Sequence, residues 1–359
     1  MTAVGEMILM KGNEAIAEAA VRAGCRFFAG YPITPQNEIP EYMSRRLWEV
    51  GGVFIQAESE VSAINMLYGA SGAGARCMTS SSSPGISLKQ EGISYIAGAE
   101  LPAVIVNMTR GGPGLGGIQP SQSDYFQATK GGGHGDYRLI VLTPATIQEM
   151  VDLTQLAFDL ADKYRNPVMI LGDAVLGQAM EPVEFRNKPV EEIPPKPWAT
   201  TGWDGSRPRN IINSLYLQPE ELEKHNLKLQ AKYKEIEKNE KRWDTVNLRD
   251  AEVALVSFGT TARICRSAME KARAEGIKAG IIRPITAWPF PDQPFEDALK
   301  LGIKKFLVVE MNYGQMLEDV KLAVNGRGEV AFYGRAGGMM PTPAAILDEL
   351  RKLVGRGNR

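Results

Sequence analysis

The sequence predicts an α/β fold in which a doubly wound parallel sheet is followed by a second, smaller α/β unit. Over residues 1 to about 185, short apolar runs alternate with segments of helical character. Such apolar runs are typical of parallel strands that helices cover on both faces. A proline-rich stretch and a charged segment break this rhythm from about 186 to 250, and the alternation resumes at Glu252. The length of 359 residues suits two domains.

In the first unit, each predicted strand is a short apolar run bounded by turn residues or by a helical segment. The predicted strands are Phe27–Ala29, Val53–Ala57, Arg76–Thr79, Ala103–Asn107, Leu139–Leu142 and Pro167–Leu171. The predicted helices are Asn13–Ala23, a helix from near Asn37, Glu60–Tyr68, Ile86–Ala97 and Thr146–Tyr164. We place this first domain at residues 1–190.

Residues 191–250 are predicted as a linker, extended around Ile193–Trp198, and a charged helix over Pro219–Lys241. The helix places His225 on its surface, and its packing stripe is Leu222, Leu229, Tyr233 and Ile236. The second unit, residues 251–359, begins with Val253–Thr260, predicted as a strand followed by a helix start. Its other predicted strands are Gly280–Pro284, Lys305–Glu310 and Glu329–Tyr333, and its last helix is Pro343–Val354.

Composition narrows the function classes. A net charge of -1 gives no support for nucleic acid or a membrane surface as the main partner. The first 15 residues lack a signal-peptide pattern and no apolar run is long enough to cross a bilayer, so we expect a cytoplasmic protein.

The three cysteines, Cys25, Cys77 and Cys265, are far apart in the sequence. Their spacing argues against a disulfide framework and a zinc site, and three thiolates are too few for a self-contained cubane iron–sulfur cluster. Among the two histidines only His134 could serve a Ser-His-Asp hydrolase, which is therefore poorly supported.

Polar loops follow several strands of the first unit, and the carboxyl ends of parallel strands share one edge of the sheet. The first loop is Gly30-Tyr31-Pro32-Ile33-Thr34-Pro35, whose two prolines end the strand and present Thr34 on a rigid turn. Thr34 either caps the next helix or contacts a ligand. Glu58 or Glu60 follows the second strand, as a favourable charge at a helix start or as a catalytic carboxylate.

The serine run 80–83 precedes Pro84-Gly85 and is either a phosphate-cradling loop or a tight turn satisfied by hydroxyls. Arg110 opens a glycine-rich loop and is either a carboxylate-binding arginine or a surface residue. His134, among glycines, is a proton carrier, a substrate contact or a loop residue bonded to a carbonyl. The glycines at 112–116 match a dinucleotide fingerprint only approximately, which disfavours an NAD enzyme.

Five segments carry a resemblance to a known family: GYPITP (30–35), QAESEVSAIN (56–65), MTSSSSPGISLKQEGISYIAGAELPAVIV (78–106), TRGGPG (109–114) and KGGGHGDYR (130–138). They resemble the α subunit of 2-oxoacid:ferredoxin oxidoreductases. The resemblance continues over 163–178 and the last unit, and segments 84–106 and 130–138 look most like the branched-chain (3-methyl-2-oxobutanoate) enzymes. It implies a thiamine-diphosphate-binding-type first domain and a transketolase C-terminal-like second domain.

The resemblance also implies site residues. Glu60 would hydrogen-bond the aminopyrimidine of thiamine diphosphate and act as the catalytic carboxylate, with Pro32 and Ser83 also contacting the cofactor. The residues that would bind a 2-oxoacid are Thr34, Arg110, Tyr31 and His134. The family converts a 2-oxoacid, coenzyme A and oxidised ferredoxin into acyl-CoA, carbon dioxide and reduced ferredoxin.

Partner chains are implied as well. The chain has Gly172-Asp173-Ala174 but no continuation into a diphosphate motif, so a β subunit would hold the diphosphate and Mg²⁺. A γ subunit and a small ferredoxin-like δ subunit would complete the complex, with [4Fe-4S] clusters on other subunits and none on this chain. The alternatives are a 2-oxoglutarate:ferredoxin oxidoreductase α subunit and, in another class, a non-catalytic scaffold subunit.

Overall fold

A computed structural model describes residues 7–185 and 193–356. The first six residues of the amino-terminal segment considered above lie outside that range. The strands of the first part are β1 (Met7–Lys11), β2 (Phe27–Gly30), β3 (Val53–Gln56), β4 (Cys77–Ser81), β5 (Ala103–Thr109), β6 (Ile140–Leu142), β7 (Pro167–Asp173) and β8 (Met180–Glu184). Its helices are α1 (Gly12–Arg22), α2 (Glu38–Glu49), α3 (Glu60–Gly72), α4 (Ser83–Gly98), α5 (Tyr125–Lys130), α6 (Ile147–Tyr164) and α7 (Ala174–Gln178).

The second part begins with the charged helix α8 (Pro219–Asn239). Its strands are β9 (Trp243–Val246), β10 (Val253–Val256), β11 (Ala279–Pro284), β12 (Thr286–Trp288), β13 (Lys305–Glu310) and β14 (Glu329–Gly334). Its remaining helices are α9 (Gly259–Ala274), α10 (Gln293–Lys300), α11 (Met316–Val324) and α12 (Pro343–Leu353). None of the helices within the described ranges is long and apolar enough to span a membrane.

The main sheet has seven strands in the order β12-β6-β7-β5-β4-β2-β3. All neighbouring pairs are parallel except β12 with β6. The central strands β4, β5 and β7 are buried along their whole length, as parallel strands covered on both faces must be. A second sheet of five strands, β14-β13-β10-β11-β9, has β9 as its only antiparallel member. The predicted fold class is confirmed.

The two parts are joined more closely than the alternation of elements suggested. Strand β12, from the second part, adds to the edge of the main sheet by pairing antiparallel with β6. Strand β9, from the segment predicted as linker and helix, instead completes the second sheet. The boundaries at 190 and 250 therefore stay a prediction: the first lies outside the described residues, β12 crosses both to join the main sheet, and β9 crosses the second.

Helix α8 packs through Leu229, Tyr233 and Ile236, as its stripe predicted, but two of its residues were predicted wrongly. Leu222 is 41% exposed and does not pack. His225 is half-buried: its Nε2 lies 2.7 Å from the Gly98 carbonyl oxygen, and its ring stacks on Tyr216. The histidine therefore joins α8 to the end of α4 instead of facing solvent.

Gln122 is the main polar connection between the two parts, and it is buried. Its Nε2 donates to the Phe258 carbonyl (2.8 Å), and its Oε1 accepts from the Met311 backbone N–H (3.0 Å) and from the Thr261 hydroxyl (3.1 Å). Its backbone bonds Met311 and Asn312 as well. These bonds fix β10, α9 and the end of β13 against the loop that leads into α5.

We expect Gln122→Ala to lower the free energy of unfolding by about 2–4 kcal/mol, because the Met311 N–H loses its acceptor and the Phe258 carbonyl loses one of its two side-chain donors. Chemical denaturation of the variant beside Gln119→Ala, whose side chain is exposed, measures the difference. Equal stabilities of the two variants would show that Gln122 does not hold the parts together.

Candidate functional site

The site lies at the carboxyl-end edge of the main sheet, where four loops leave β2, β3, β4 and β5. The strands end level: Gly30 pairs with Gln56, and Ser81 with Asn107. The loops after them therefore meet above one edge, as the sequence predicted. This edge carries the buried carboxylate, the serine run and the arginine considered below.

The structure distinguishes the two candidate glutamates. Glu58 is exposed, whereas Glu60 is only 6% exposed. Glu60 is the first residue of α3, whose start is fixed by the Ser59 hydroxyl accepting from the Ser62 N–H at 3.1 Å. Among the described residues no hydrogen bond to the Glu60 carboxylate is recorded. A buried carboxylate without a donor is costly, so this group needs a partner from outside the chain or a counter-charge within it.

Gly85 of α4 lies directly against that carboxylate. A Cβ at position 85 would stand 2.6 Å from Glu60 Oε1 and closer still to Ser81 Oγ, so only glycine fits here. The hydroxyls of Ser81 and Ser82 are buried and, within the described ranges, have no hydrogen-bond partner. The interpretation of the serine run as a tight turn satisfied by hydroxyls does not account for these two side chains. Ser81 Oγ and the Glu60 carboxylate both lie against the Gly85 Cβ position and form a polar cradle there.

Ser83 begins α4 in a strained left-handed conformation, with φ at +20°. Its N–H donates to Asn107 Oδ1 (3.1 Å), and Asn107 Nδ2 donates to Asp124 Oδ2 (2.8 Å). Burial raises the pKa of Asp124, while the hydrogen bonds from Asn107 and Ser83 oppose that rise. Sequence reasoning missed Asn107 and Asp124; a polar residue ending an otherwise apolar strand was the available signal.

Arg110 is buried, so its interpretation as a surface residue in a flexible loop is wrong. Its two terminal guanidinium nitrogens donate to the backbone carbonyls of Thr34 (2.9 Å) and Leu115 (3.1 Å). The backbone N–H of Arg110 donates to Ser83 Oγ (3.0 Å). Its Nε is buried without a partner in the described residues. Arg110 thus ties together the loops after β2, β4 and β5, and its Nε–H is left unused among the described residues.

Thr34 is half-buried beside Arg110 and does not cap α2. That helix starts at Glu38 with Asn37 in the cap position and no side-chain capping bond. The Thr34 hydroxyl receives one long hydrogen bond, from Asn37 Nδ2 at 3.5 Å, which leaves it available to a ligand. Tyr31 and Pro32 in the same loop are exposed.

His134 lies elsewhere. Its carbonyl accepts from the Ser94 hydroxyl (2.7 Å), and its exposed ring meets the edge of Tyr95. Ser94 is nine residues beyond Gly85 on α4, roughly 13 Å along the helix. The structure therefore brings Thr34, Glu60, Ser83 and Arg110 together but not His134, whose role in binding substrate stays a prediction.

A cavity of about 630 Å³ opens beside this edge, between the main sheet and the second part of the chain. Ser83, Arg110 and Asp124 line one side, and Asn312 and Gln315 line the other. The cavity is large enough for a small organic acid together with part of a larger ligand.

Two family models match this chain. One, described as pyruvate flavodoxin/ferredoxin oxidoreductase, thiamine diP-binding, matches residues 18–244. The other, described as pyruvate:ferredoxin oxidoreductase core domain II, matches residues 251–346. The two matches fall on either side of residue 250; Thr34, Glu60, Ser83 and Arg110 lie within the first, and Asn312 and Gln315 of the cavity wall lie within the second.

Similar curated proteins extend over almost the whole chain. The ketoisovalerate oxidoreductase subunit VorB of Methanothermobacter marburgensis is 51% identical over 350 residues, covering 98% of this chain and 99% of that protein. The 2-oxoglutarate synthase subunit KorA of Methanothermobacter thermautotrophicus is 37% identical over 376 residues, covering 97% and 99%.

Among solved structures, 2-oxoglutarate:ferredoxin oxidoreductase from Magnetococcus marinus, with 2-oxoglutarate, coenzyme A and succinyl-CoA bound, superposes with a TM-score of 0.83 at 27% identity. The match covers 97% of this chain and 65% of that one. A split-gene transketolase in an inactive β4 tetramer shares the fold, with a TM-score of 0.60 at 12% identity.

Proposed function

The chain belongs to the pyruvate flavodoxin/ferredoxin oxidoreductase family, and we propose that it is the subunit that supplies Glu60 to thiamine diphosphate in a branched-chain 2-oxoacid:ferredoxin oxidoreductase. The resemblance stated from the motifs is confirmed. The substrate assignment to 3-methyl-2-oxobutanoate is supported by the 51% identity to ketoisovalerate subunits, against 37–38% to 2-oxoglutarate subunits. A 2-oxoglutarate enzyme is the second candidate within the family.

One observation carries the proposal: Glu60 is a buried carboxylate to which no described residue donates a hydrogen bond, in a polar cradle that only a glycine at position 85 leaves open. These residues fit the aminopyrimidine ring of thiamine diphosphate, which offers ring nitrogens to a carboxyl group. When bound, the cofactor supplies an electron sink for decarboxylation of a 2-oxoacid. Glu60 holds the ring and exchanges a proton with it, and burial keeps water from competing for that carboxylate.

Arg110 and Thr34 serve the substrate in this proposal. The free Arg110 Nε and the available Thr34 hydroxyl are donors suited to the carboxylate and oxo oxygens of a 2-oxoacid. Because the other Arg110 donors already hold three loops in place, the site is largely formed before substrate arrives and loses less entropy on binding. Tyr31, Pro32 and Ser83 stay proposed contacts at its rim.

The diphosphate end of the cofactor is assigned to a partner chain. Asp173, the one acidic residue of the Gly-Asp-Ala sequence, is buried, and its Oδ1 accepts from the N–H groups of Val175 (2.9 Å) and Leu176 (3.3 Å). Its carboxylate therefore caps α7 instead of facing the site. This supports a β subunit as the holder of diphosphate and Mg²⁺. The γ and δ subunits, ferredoxin as acceptor, and clusters on other chains complete the proposal, and a cytoplasmic location stays a prediction.

Apolar side chains around the site support a partner that covers it. Leu115 and Ile118, in the loop that Arg110 holds, are 82% and 56% exposed, and Tyr313, across the cavity, is 84% exposed. Exposed apolar groups beside a buried catalytic carboxylate suit a subunit interface that closes over the cofactor. A scaffold without a catalytic role would not require the unpartnered carboxylate and hydroxyls.

The test is turnover by the assembled complex. We expect ferredoxin reduction with 3-methyl-2-oxobutanoate to exceed that with 2-oxoglutarate or pyruvate by at least tenfold in kcat/KM, which corresponds to about 1.4 kcal/mol. Preference for 2-oxoglutarate would favour the second candidate. If none of the three 2-oxoacids is turned over, both candidate functions are contradicted. Tight binding of thiamine diphosphate by this chain alone would contradict the assignment of the diphosphate to a partner.

A further inference from the structure

A fully buried lysine lies on the face of α4 that packs on α3. Gly85, Lys89 and Gly92 are spaced by four and three residues, so they share one face of the helix. Gly85 faces Glu60, and a Cβ at Gly92 would stand 2.5 Å from Ile64 Cγ2, one turn further along α3. Lys89 therefore lies between these two contacts, and its side chain has no solvent exposure.

The Lys89 ammonium has few partners. Its Nζ donates to Thr79 Oγ1 at 2.7 Å, and the Thr79 hydroxyl in turn donates to the Ala29 carbonyl at 2.6 Å. Within the described ranges no second acceptor for the ammonium is recorded. Lysine is almost never fully buried unless it is paired, and a methionine would fill such a slot without the cost of burying an amine.

Charge links Lys89 to the site. Burial lowers the pKa of Lys89 to about 7, and attraction to Glu60 opposes that fall. Of the charged groups that the structure describes, Glu60 from α3 is the one that acts on Lys89, and the contact from β4 is the neutral hydroxyl of Thr79. Because Gly85, one turn before Lys89 on the same face of α4, lies against the Glu60 carboxylate, the amine and the carboxylate are neighbours inside the protein.

We propose that Lys89 is a positioning residue for Glu60: from the closed side of the site, its ammonium is the counter-charge that holds the carboxylate aimed at the position assigned to the aminopyrimidine. This inference rests on the proposed function. Lys89 has no solvent exposure, so we place it outside direct contact with the cofactor. A cation close to a carboxylate favours the negatively charged form of that carboxylate.

The first experiment compares Lys89→Met with wild type in the assembled complex. We expect the acid limb of the pH profile of kcat to move up by at least one pH unit, because the carboxylate loses its counter-charge, while KM for the 2-oxoacid changes less than threefold. Leu88→Met, at an exposed neighbouring position on α4, is the control and should keep the wild-type profile. An unmoved acid limb in Lys89→Met overturns the proposal.

The second experiment needs no activity. In the full chain without cofactor, the melting temperatures of wild type, Lys89→Met, Glu60→Gln and the double variant form a cycle at pH 7. Lys89→Met should raise the melting temperature more in the Glu60→Gln background than in wild type, because the lysine there has lost its counter-charge. Equal increments would overturn the pairing.

The two experiments separate the possible failures. A coupled cycle in a complex that turns over no 2-oxoacid would contradict the proposed function and leave the Lys89–Glu60 pair standing. An active complex with an additive cycle and an unmoved acid limb would retain the function and remove Lys89 from it.

Discussion

Glu60→Gln is expected to lower 2-oxoacid-dependent ferredoxin reduction by about 10²- to 10⁴-fold, the range in which a positioned acid–base group contributes. Glutamine fills the same volume and still forms hydrogen bonds, but it cannot exchange a proton with the cofactor ring. The loss should therefore fall on kcat, with KM for the 2-oxoacid little changed. Steady-state kinetics of the assembled complex measure both constants.

Glu58→Gln is the matched control. Glu58 is two residues away, carries the same charge and is exposed, so its substitution should leave kcat within about twofold of wild type, as surface substitutions usually do. Size-exclusion chromatography should show both variants assembled with their partners. Full activity in Glu60→Gln would remove the catalytic role of this carboxylate, and equal losses in both variants would point to a general effect of charge.

The choice between the two glutamates shows where sequence reasoning stops. Polar loops after apolar strands predicted the shared edge correctly, because parallel strands bring their carboxyl ends together. The sequence places Glu58 and Glu60 after the same strand and cannot say which one is buried. That depends on α3 beginning at Glu60 and on a glycine from α4 lying against it, and the second of these is a contact between elements.

The same reason explains the other differences. Arg110 was predicted as a substrate ligand or a surface residue, yet both of its terminal nitrogens donate to backbone carbonyls of its own and a neighbouring loop, those of Leu115 and Thr34. His134 shares the glycine-rich character of a ligand loop, but its loop packs on the far half of α4. Lys89 was not predicted as a site residue, because a lysine within a helix is usually solvated. In each case the pattern was local and the decisive contact was distant.

Strand β12 was missed for a related reason, whereas its partner β6 lies within the predicted strand Leu139–Leu142. β12 has three residues, so it carries no periodicity that could be detected alone. It is a strand because it pairs with β6, which in turn pairs with β7. A strand that is contributed by one part of the chain to the sheet of the other can be recognised only when the two parts are seen together.

Gly85→Ala is expected to lower activity nearly as much as the substitution of Glu60 itself, although it leaves the carboxyl group chemically unchanged. An alanine Cβ would stand 2.6 Å from Glu60 Oε1 and would also overlap Ser81 Oγ, so the carboxylate and the helix start must move apart. Overpacking of this kind costs about 1–3 kcal/mol of stability, and a displacement of about 1 Å in a reacting group costs on the order of 10²-fold in rate. Kinetics and thermal melting of the complex measure the two effects.

Three other glycines on the same two helices separate displacement of Glu60 from ordinary packing damage. A Cβ at Gly69 on α3 would meet no atom within 4 Å, and one at Gly98 on α4 would make only ordinary contact at 3.4 Å. We therefore expect Gly69→Ala and Gly98→Ala to be active and up to about 1 kcal/mol more stable than wild type. Gly92→Ala overlaps Ile64, away from the carboxylate, and should lose stability while keeping most of its kcat. If Gly85→Ala loses stability but keeps its kcat, as Gly92→Ala should, the cradle around Glu60 serves packing and is not part of the catalytic site. If Gly85→Ala is the one variant of the four that loses kcat, the glycine makes room for the carboxylate.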